Sequence, residues 1–584
     1  MTEEQLDLRA GADLILGHLR RQWPFMAAAL LAALGWSVAR IVIPVLTGEA
    51  IDRALRASGG PDLDLLLVFA IAIGAMAVLQ AGSAAARRFY AMRTSYRIEA
   101  DLRTVLYNRV NRLSFDYYDR TATGQLMSRA STDLHEIQQL VVMTPINAAF
   151  LLMAIGAFLA LLRVHVPLAF ASMLVYPVVT LLTIRFFNKL FPATARVQQG
   201  LADLTGVVEE NIAGARLVRS FGREQHEVDN LAKVADEIYD DNMEVAWLRT
   251  VYTPLFFLLP AVGQLVILAY GGWLVLEGNL SVGEFVAFFQ LLNMLVWPVQ
   301  GLGEMVASGQ RAITSAARVT NVLKEEPTIR EQPRARPLPD GPGELRFENV
   351  SFSYQTDRPV LQDFSLHVPA GTAVALVGPT GSGKSTVARL LPRFYDVDSG
   401  SITIDGVDIR DVELQDLRQN VGLVFEDTFL FSDTIRNNVA YGRIDATDEE
   451  IEWAARHAQA TEFVDETPAG YDTVVGEQGF SLSGGQRQRI AIARTILMQP
   501  RILILDDATS SVDARMEGEI QETLRRVMEG RTTIIISHRL STIALADRVV
   551  LIDEGRVAAM GEHAELMRSN PRYAEVLGQV AVPS

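Results

Sequence analysis

The sequence predicts a membrane α-helical domain with six transmembrane helices extended into the aqueous phase, followed by a soluble α/β domain built on a P-loop. Three observations carry this expectation. The first 325 positions hold six apolar runs near the length of about 20 residues that a helix needs to cross a bilayer. Five prolines between 327 and 342 then interrupt a short polar stretch that cannot stay helical. Beyond it, β-rich runs alternate with helical ones around a glycine-rich loop. The expected organisation is 1–325 membrane domain, 326–344 linker and 345–584 α/β domain.

Composition narrows the function classes. Of 584 residues 49% are hydrophobic and 21% charged, too apolar for a disordered chain. With no cysteine there is no disulfide framework, thiolate zinc site, iron–sulfur cluster or cysteine-protease prodomain. A net charge of -16 opposes a general nucleic-acid surface, so no nucleic-acid partner is expected.

The apolar runs fall near 23–46, 63–84, 140–162, 168–187, 253–276 and 285–308. The first is too long for a cleaved signal and is followed by Gly48-Glu49 rather than a small-residue cleavage site, so it is read as an anchor. Arg20 and Arg21 precede it, and the connection between the second and third runs carries arginines 87, 88, 93, 97, 103, 109, 112, 120 and 129. The positive-inside rule places the N-terminus and this connection in the cytoplasm. An even number of spans puts the α/β domain on the same side, and the arginine bias suggests a bacterial plasma membrane. The long cytoplasmic links keep helical periodicity, with breaks at 119–124 and 211–222 read as turns farthest from the bilayer. Polar residues inside the runs are Arg40, Asn147, Gln264, Gln290, Asn293 and Gln300, and Phe288, Phe289 and Trp297 are aromatic neighbours there; none names a substrate.

Only four lysines occur, Lys189, Lys233, Lys324 and Lys384, and the last falls in a motif. Gly378-Pro379-Thr380-Gly381-Ser382-Gly383-Lys384-Ser385-Thr386 follows an apolar strand and opens a helix, the context a P-loop requires. Its glycines let backbone N–H groups close on phosphates, Lys384 supplies a compact charge, and Ser385 offers a hydroxyl to Mg²⁺. The strand 502–505 ends in Asp506, the second magnesium-linked oxygen such a fold needs. Between the two lies Leu482-Ser483-Gly484-Gly485-Gln486 at the start of a basic helix, an anion site for a second nucleotide.

Taken in this order, the residues resemble the ATP-binding cassette (ABC) family, whose signature is the 482–486 stretch. The resemblance covers essentially the whole chain, six spans before one nucleotide-binding domain, as in half-size exporters. It implies ATP and Mg²⁺ as ligands, with Ser385, Asp506 and Glu426 toward the metal. It further implies that Tyr354 stacks on adenine, that Asp513 lies in the loop after the second acid and that His538 contacts the γ-phosphate. The segment 473–479 resembles the exporter-specific stretch before the signature. In the family two domains sandwich two ATP molecules, each site joining one chain's P-loop to Ser483, Gly484, Gly485 and Gln486 of the other. The turns near 120–124 and 213–221 resemble its coupling helices.

Two residues depart from the pattern. Family members that hydrolyse efficiently have Glu after the magnesium-linked Asp, where this chain has Asp507; one methylene withdraws the carboxylate by roughly 1.5 Å, and a misplacement of about 1 Å costs about a hundredfold in rate. The family normally has Gln where this chain has Glu426, which cannot donate an amide hydrogen bond and adds charge beside a triphosphate. Both fall on one nucleotide site while the signature is intact, resembling the poor-site subunit of heterodimeric exporters. The expectation is a subunit that exports amphiphilic or hydrophobic compounds, paired with a different half-transporter bearing Glu. A homodimeric exporter, exporter-fold uptake and an ATP-gated regulatory subunit are the alternatives.

Overall fold

The computed structural model describes residues 7–56, 60–355, 358–479, 481–508 and 514–580; Asp513 lies outside them, as do the side chains of Trp297 and Gln300. The chain packs as two units, Met1–Asn111 with Thr123–Glu325, and Arg112–Ala122 with Glu326–Ser584.

Among the described residues of the helical unit five stretches are long and apolar enough to cross a membrane: Trp23–Leu55, Leu63–Val110, Thr123–Val164, Val166–Ala213 and Glu224–Leu276. Leu63–Val110 has 48 residues, about 72 Å at 1.5 Å per residue, far more than a hydrocarbon core of about 30 Å. It therefore continues into water, as the periodicity requires. The sixth run is not one straight helix. It breaks at Leu295 into Val282–Met294 and Val296–Lys324. Pro298 lacks the N–H that would bond the Met294 carbonyl, and its ring crowds that oxygen; the Tyr176 hydroxyl donates to the Leu292 carbonyl beside the break, at 2.9 Å. Pro177 stands in the same relation to Met173, where Val166–Met173 gives way to Val175–Ala213. Phe288 is fully buried rather than lipid-facing or cavity-lining.

At one end of this unit Asp52 accepts hydrogen bonds from the Ser281 hydroxyl and from the Gly283 N–H, the latter at 2.7 Å. Here the helices cross so closely that a Cβ on Gly48 would stand 2.5 Å from the Gly283 carbonyl oxygen and 3.0 Å from Ala287 Cβ. Gly48→Ala is expected to force the crossing apart, at a cost of about 1–3 kcal/mol. A drop of several degrees in the thermal midpoint of the purified protein, absent in Gly74→Ala where nothing lies within 4 Å, checks this.

The second unit holds two sheets. An antiparallel one runs β2-β1-β4-β5, from β1 (Leu345–Gln355), β2 (Arg358–Val368), β4 (Ser399–Ile404) and β5 (Val407–Asp408). The other runs β10-β9-β3-β8-β7-β6, from β3 (Ala373–Val377), β6 (Val421–Val424), β7 (Ile502–Asp506), β8 (Thr532–Ile536), β9 (Arg548–Asp553) and β10 (Arg556–Gly561). All of its neighbours are parallel except β9 and β10. Every residue of β3 and β8 is buried, which is why β3 reads as an unbroken apolar run rather than an alternating one, while β8 buries Thr532 and Thr533 ahead of three isoleucines. Ala375 and Val377 enter one core; Val374 and Leu376 enter the other.

The proline-rich stretch packs with this unit. Leu338 is buried, its N–H bonds Asp416 at 2.6 Å, and the Gly343 N–H bonds Asp405 at 2.9 Å. The short helix Phe115–Arg120 also packs here. Phe115 stacks on Phe394 at 4.2 Å, Tyr395 donates to Asp119 at 2.5 Å, and the Ile329 N–H bonds the Ser114 hydroxyl at 3.0 Å. This places the first turn helix a few residues before 120–124, because Phe115 needs an aromatic floor that the polar residues after Arg120 lack. The second turn holds the short helix Ala215–Ser220.

Candidate functional site

The parallel strands bring the chemistry to one edge. Leu376 pairs with Ile536, Ile536 with Asp506, and Leu505 with Val424, so β3, β8, β7 and β6 end level. The P-loop, His538, Asp506 with Asp507, and Glu426 each follow one of those ends, the crevice where open α/β sheets hold ligands.

In the P-loop, Gly383 has φ of 101°, and a Cβ there would lie 2.6 Å from Leu361 Cδ2, so only glycine turns the chain into Lys384–Leu390. Lys384 is 6% exposed and its Nζ donates to the carbonyls of Gly378 and Pro379, both at 2.8 Å. Burial lowers its pKa, opposed by the charges of Asp507 and Asp506. The Ser382 hydroxyl oxygen is buried with no hydrogen-bond partner among the described residues, an orphan inside the loop that a phosphate oxygen fits.

Ser385 donates from its hydroxyl to Asp506 at 3.4 Å. Burial, then the negative charges of Asp507 and Glu426, push Asp506 up to about 6 against the lowering effect of the Ser385 bond. Three carboxylates crowd one edge with a hydroxyl, an all-oxygen set suited to a hard cation. Among the described residues no three Asp, Glu, His or Cys converge as a metal cage.

Asp507 has φ of 45°, and its carboxylate turns to the β8 end. It accepts from the His538 N–H at 3.2 Å and lies 3.7 Å from His538 Nε2. The Asp507 side chain is 14% exposed and that of His538 46%. Tyr354 is 41% exposed, leaving ring surface free for a base, and its hydroxyl donates to Thr386 at 3.3 Å. Tyr395, which the sequence did not single out, meets the Tyr354 ring edge-on at 5.2 Å. Its only advance signal was an aromatic pair, Phe394-Tyr395, just past the P-loop helix.

The signature opens a helix of its own. Ser483 caps Gly484–Met498 in a capping box: its hydroxyl accepts from the Gln486 N–H at 3.2 Å, and Gln486 Oε1 accepts from the Ser483 N–H at 2.8 Å. Gly484 lines a cavity of about 350 Å³ with Glu426, Asp427, Gln478, Arg487 and Gln488. Among the described residues no hydrogen bond joins residues 483–486 to residues 378–386.

A profile described as "ABC transporter transmembrane region" matches residues 26–299, and one described as "ABC transporter" matches residues 361–510. An ATP-dependent lipid A-core flippase of Syntrophus aciditrophicus is 38% identical over 563 residues, 95% of this chain and 91% of that protein. The chain belongs to the ABC transporter family. A multidrug efflux ATP-binding/permease protein of Mycobacterium tuberculosis is 40% identical over 562 residues, 96% of this chain, which spans 47% of that relative's length. The structure of a bacterial Atm1-family ABC exporter with ATP bound superposes with a TM-score of 0.78 and 30% identity, covering 97% of this chain and 100% of that one. This ABC transporter therefore has the exporter fold, a membrane helical domain followed by a P-loop domain that binds ATP.

Proposed function

We propose that this chain is one half of a heterodimeric ABC exporter in the plasma membrane of a bacterium, with the P-loop domain and N-terminus in the cytoplasm. Its own P-loop site binds Mg²⁺ and ATP through residues 378–386, Asp506 and Glu426 but hydrolyses slowly, and Ser483, Gly484, Gly485 and Gln486 complete a better site on a different subunit. The single observation behind this reading is Asp507. Its short carboxylate accepts from the His538 N–H at 3.2 Å and lies 3.7 Å from His538 Nε2. An acid so placed orients an attacking water poorly.

The cargo is amphiphilic or hydrophobic. Relatives that carry the names multidrug efflux protein and lipid A-core flippase support this class. The magnesium ion, when bound, neutralises phosphate charge; Ser385 and Asp506 orient around it, and Lys384 holds the terminal phosphates.

The test uses the exporter purified from its host with whatever subunit accompanies the chain. Asp507→Asn is expected to leave steady-state ATPase activity within about twofold, while Ser483→Arg, which places a bulky cation at the signature helix start, lowers it at least about fiftyfold. A purified single-chain dimer with brisk ATPase activity that Asp507→Asn abolishes would overturn the heterodimer.

A further inference from the structure

Arg40 is the anomaly of the helical unit. It is the eighteenth of the 33 residues in Trp23–Leu55, roughly 26 Å along the helix from Trp23 at about 1.5 Å per residue, and so lies inside the apolar stretch. A cation at that depth pairs with a carboxylate or faces water or a ligand. Among the described residues no carboxylate lies within ion-pair distance of Arg40. Instead it lines a cavity of about 570 Å³ with Trp36, Pro44, Phe150, Met153, Phe289 and the amides Gln290 and Asn293. That volume falls in the range of about 300–1,000 Å³ typical of small-molecule sites.

A second observation points the same way. The guanidinium of Arg87 stands 5.0 Å over the ring of Trp36, itself a wall of the cavity. The Arg87 Nε and Nη1 atoms are buried and have no hydrogen-bond partner among the described residues. Two guanidiniums without carboxylates thus flank one tryptophan. The cation on the wall calls for an anion, and the aromatic and methionine surface calls for a hydrocarbon chain.

We infer that this cavity selects single-chain amphiphiles with an anionic head group, and that Arg40 is the residue that sets this preference. The inference rests on the export reading and deepens it: the anionic head docks on the Arg40 guanidinium, Gln290 offers an amide donor beside it, and the chain lies along Phe150, Met153 and Phe289. Lysine keeps the charge at position 40 but loses the planar, two-pronged geometry that suits phosphate oxygens.

The test compares two probes of equal chain length, dodecyl phosphate and dodecyltrimethylammonium, in ATP-dependent uptake by inside-out vesicles containing the complete exporter. The wild-type protein is expected to favour the phosphate about tenfold or more. Arg40→Gln is expected to erase that preference and Arg40→Lys to retain part of it, with the thermal midpoint and protein level recorded for each. Equal uptake of both probes by the wild type, or a phosphate preference that survives Arg40→Gln, overturns the role of Arg40 while leaving export intact. ATP-independent accumulation of both probes would instead strike at the export reading itself. The wild-type comparison decides the anion preference even where a variant fails to fold.

Discussion

Replacing Asp507 with Glu raises the rate of a single turnover of ATP at this chain's own P-loop about a hundredfold. The added methylene carries the carboxylate outward by roughly 1.5 Å, from its place on the His538 N–H toward the phosphate side of the strand edge. Orientation is steep in distance, which is why so small a change has so large an effect. Glu426 remains a second obstacle, since a carboxylate beside the triphosphate adds repulsion and cannot donate. Asp507→Glu with Glu426→Gln is accordingly expected to exceed Asp507→Glu alone. Rapid-quench measurement with nucleotide bound at Lys384 checks both. A wild-type rate already equal to that of Asp507→Glu would show that the short acid is no handicap.

Lys384→Ala weakens binding of Mg²⁺-ATP at least about a hundredfold. A hydrogen bond to a charged group is worth about 1.5–3 kcal/mol and the ammonium offers three donors, so its loss spans more than a decade in Kd. In this fold Nζ also ties the carbonyls of Gly378 and Pro379, both at 2.8 Å, so the loop loses a clamp as well as a charge. Arginine does not rescue, because a planar guanidinium cannot enter a position that is 6% exposed in the lysine protein. Titration with a fluorescent ATP analogue, with circular dichroism to confirm the fold, gives the readout. Unchanged affinity in Lys384→Ala would refute the assignment of the P-loop.

The parts of the fold set by local pattern were legible in advance. Strand β3, the turn through Gly381 and Gly383, and the helix from Lys384 follow from a buried apolar run, a need for positive φ and a helix start, all within about a dozen residues. The order of Lys384, Ser483 and Asp506 carried the family resemblance. What escaped the sequence depends on distant partners. Hydropathy averaged across Pro298 shows one apolar run, whereas the missing N–H and the Tyr176 hydroxyl make two helices of it. Phe115 signals a buried aromatic but not that its floor is Phe394. The orientation of Asp507 follows from a left-handed backbone angle at that one residue, which its acidic character does not announce.

The helix Phe115–Arg120 has a consequence for how the polypeptide is made. Asp119 leaves the ribosome well before Tyr395, 276 residues later, so this small helix waits without its floor while most of the bilayer-inserted portion is synthesised. An α/β fragment begun at residue 326 would lack the Phe115 ring that stacks on Phe394 and the Asp119 carboxylate that Tyr395 bonds. The second unit is thus not finished until the nascent chain has returned to a helix laid down near its beginning.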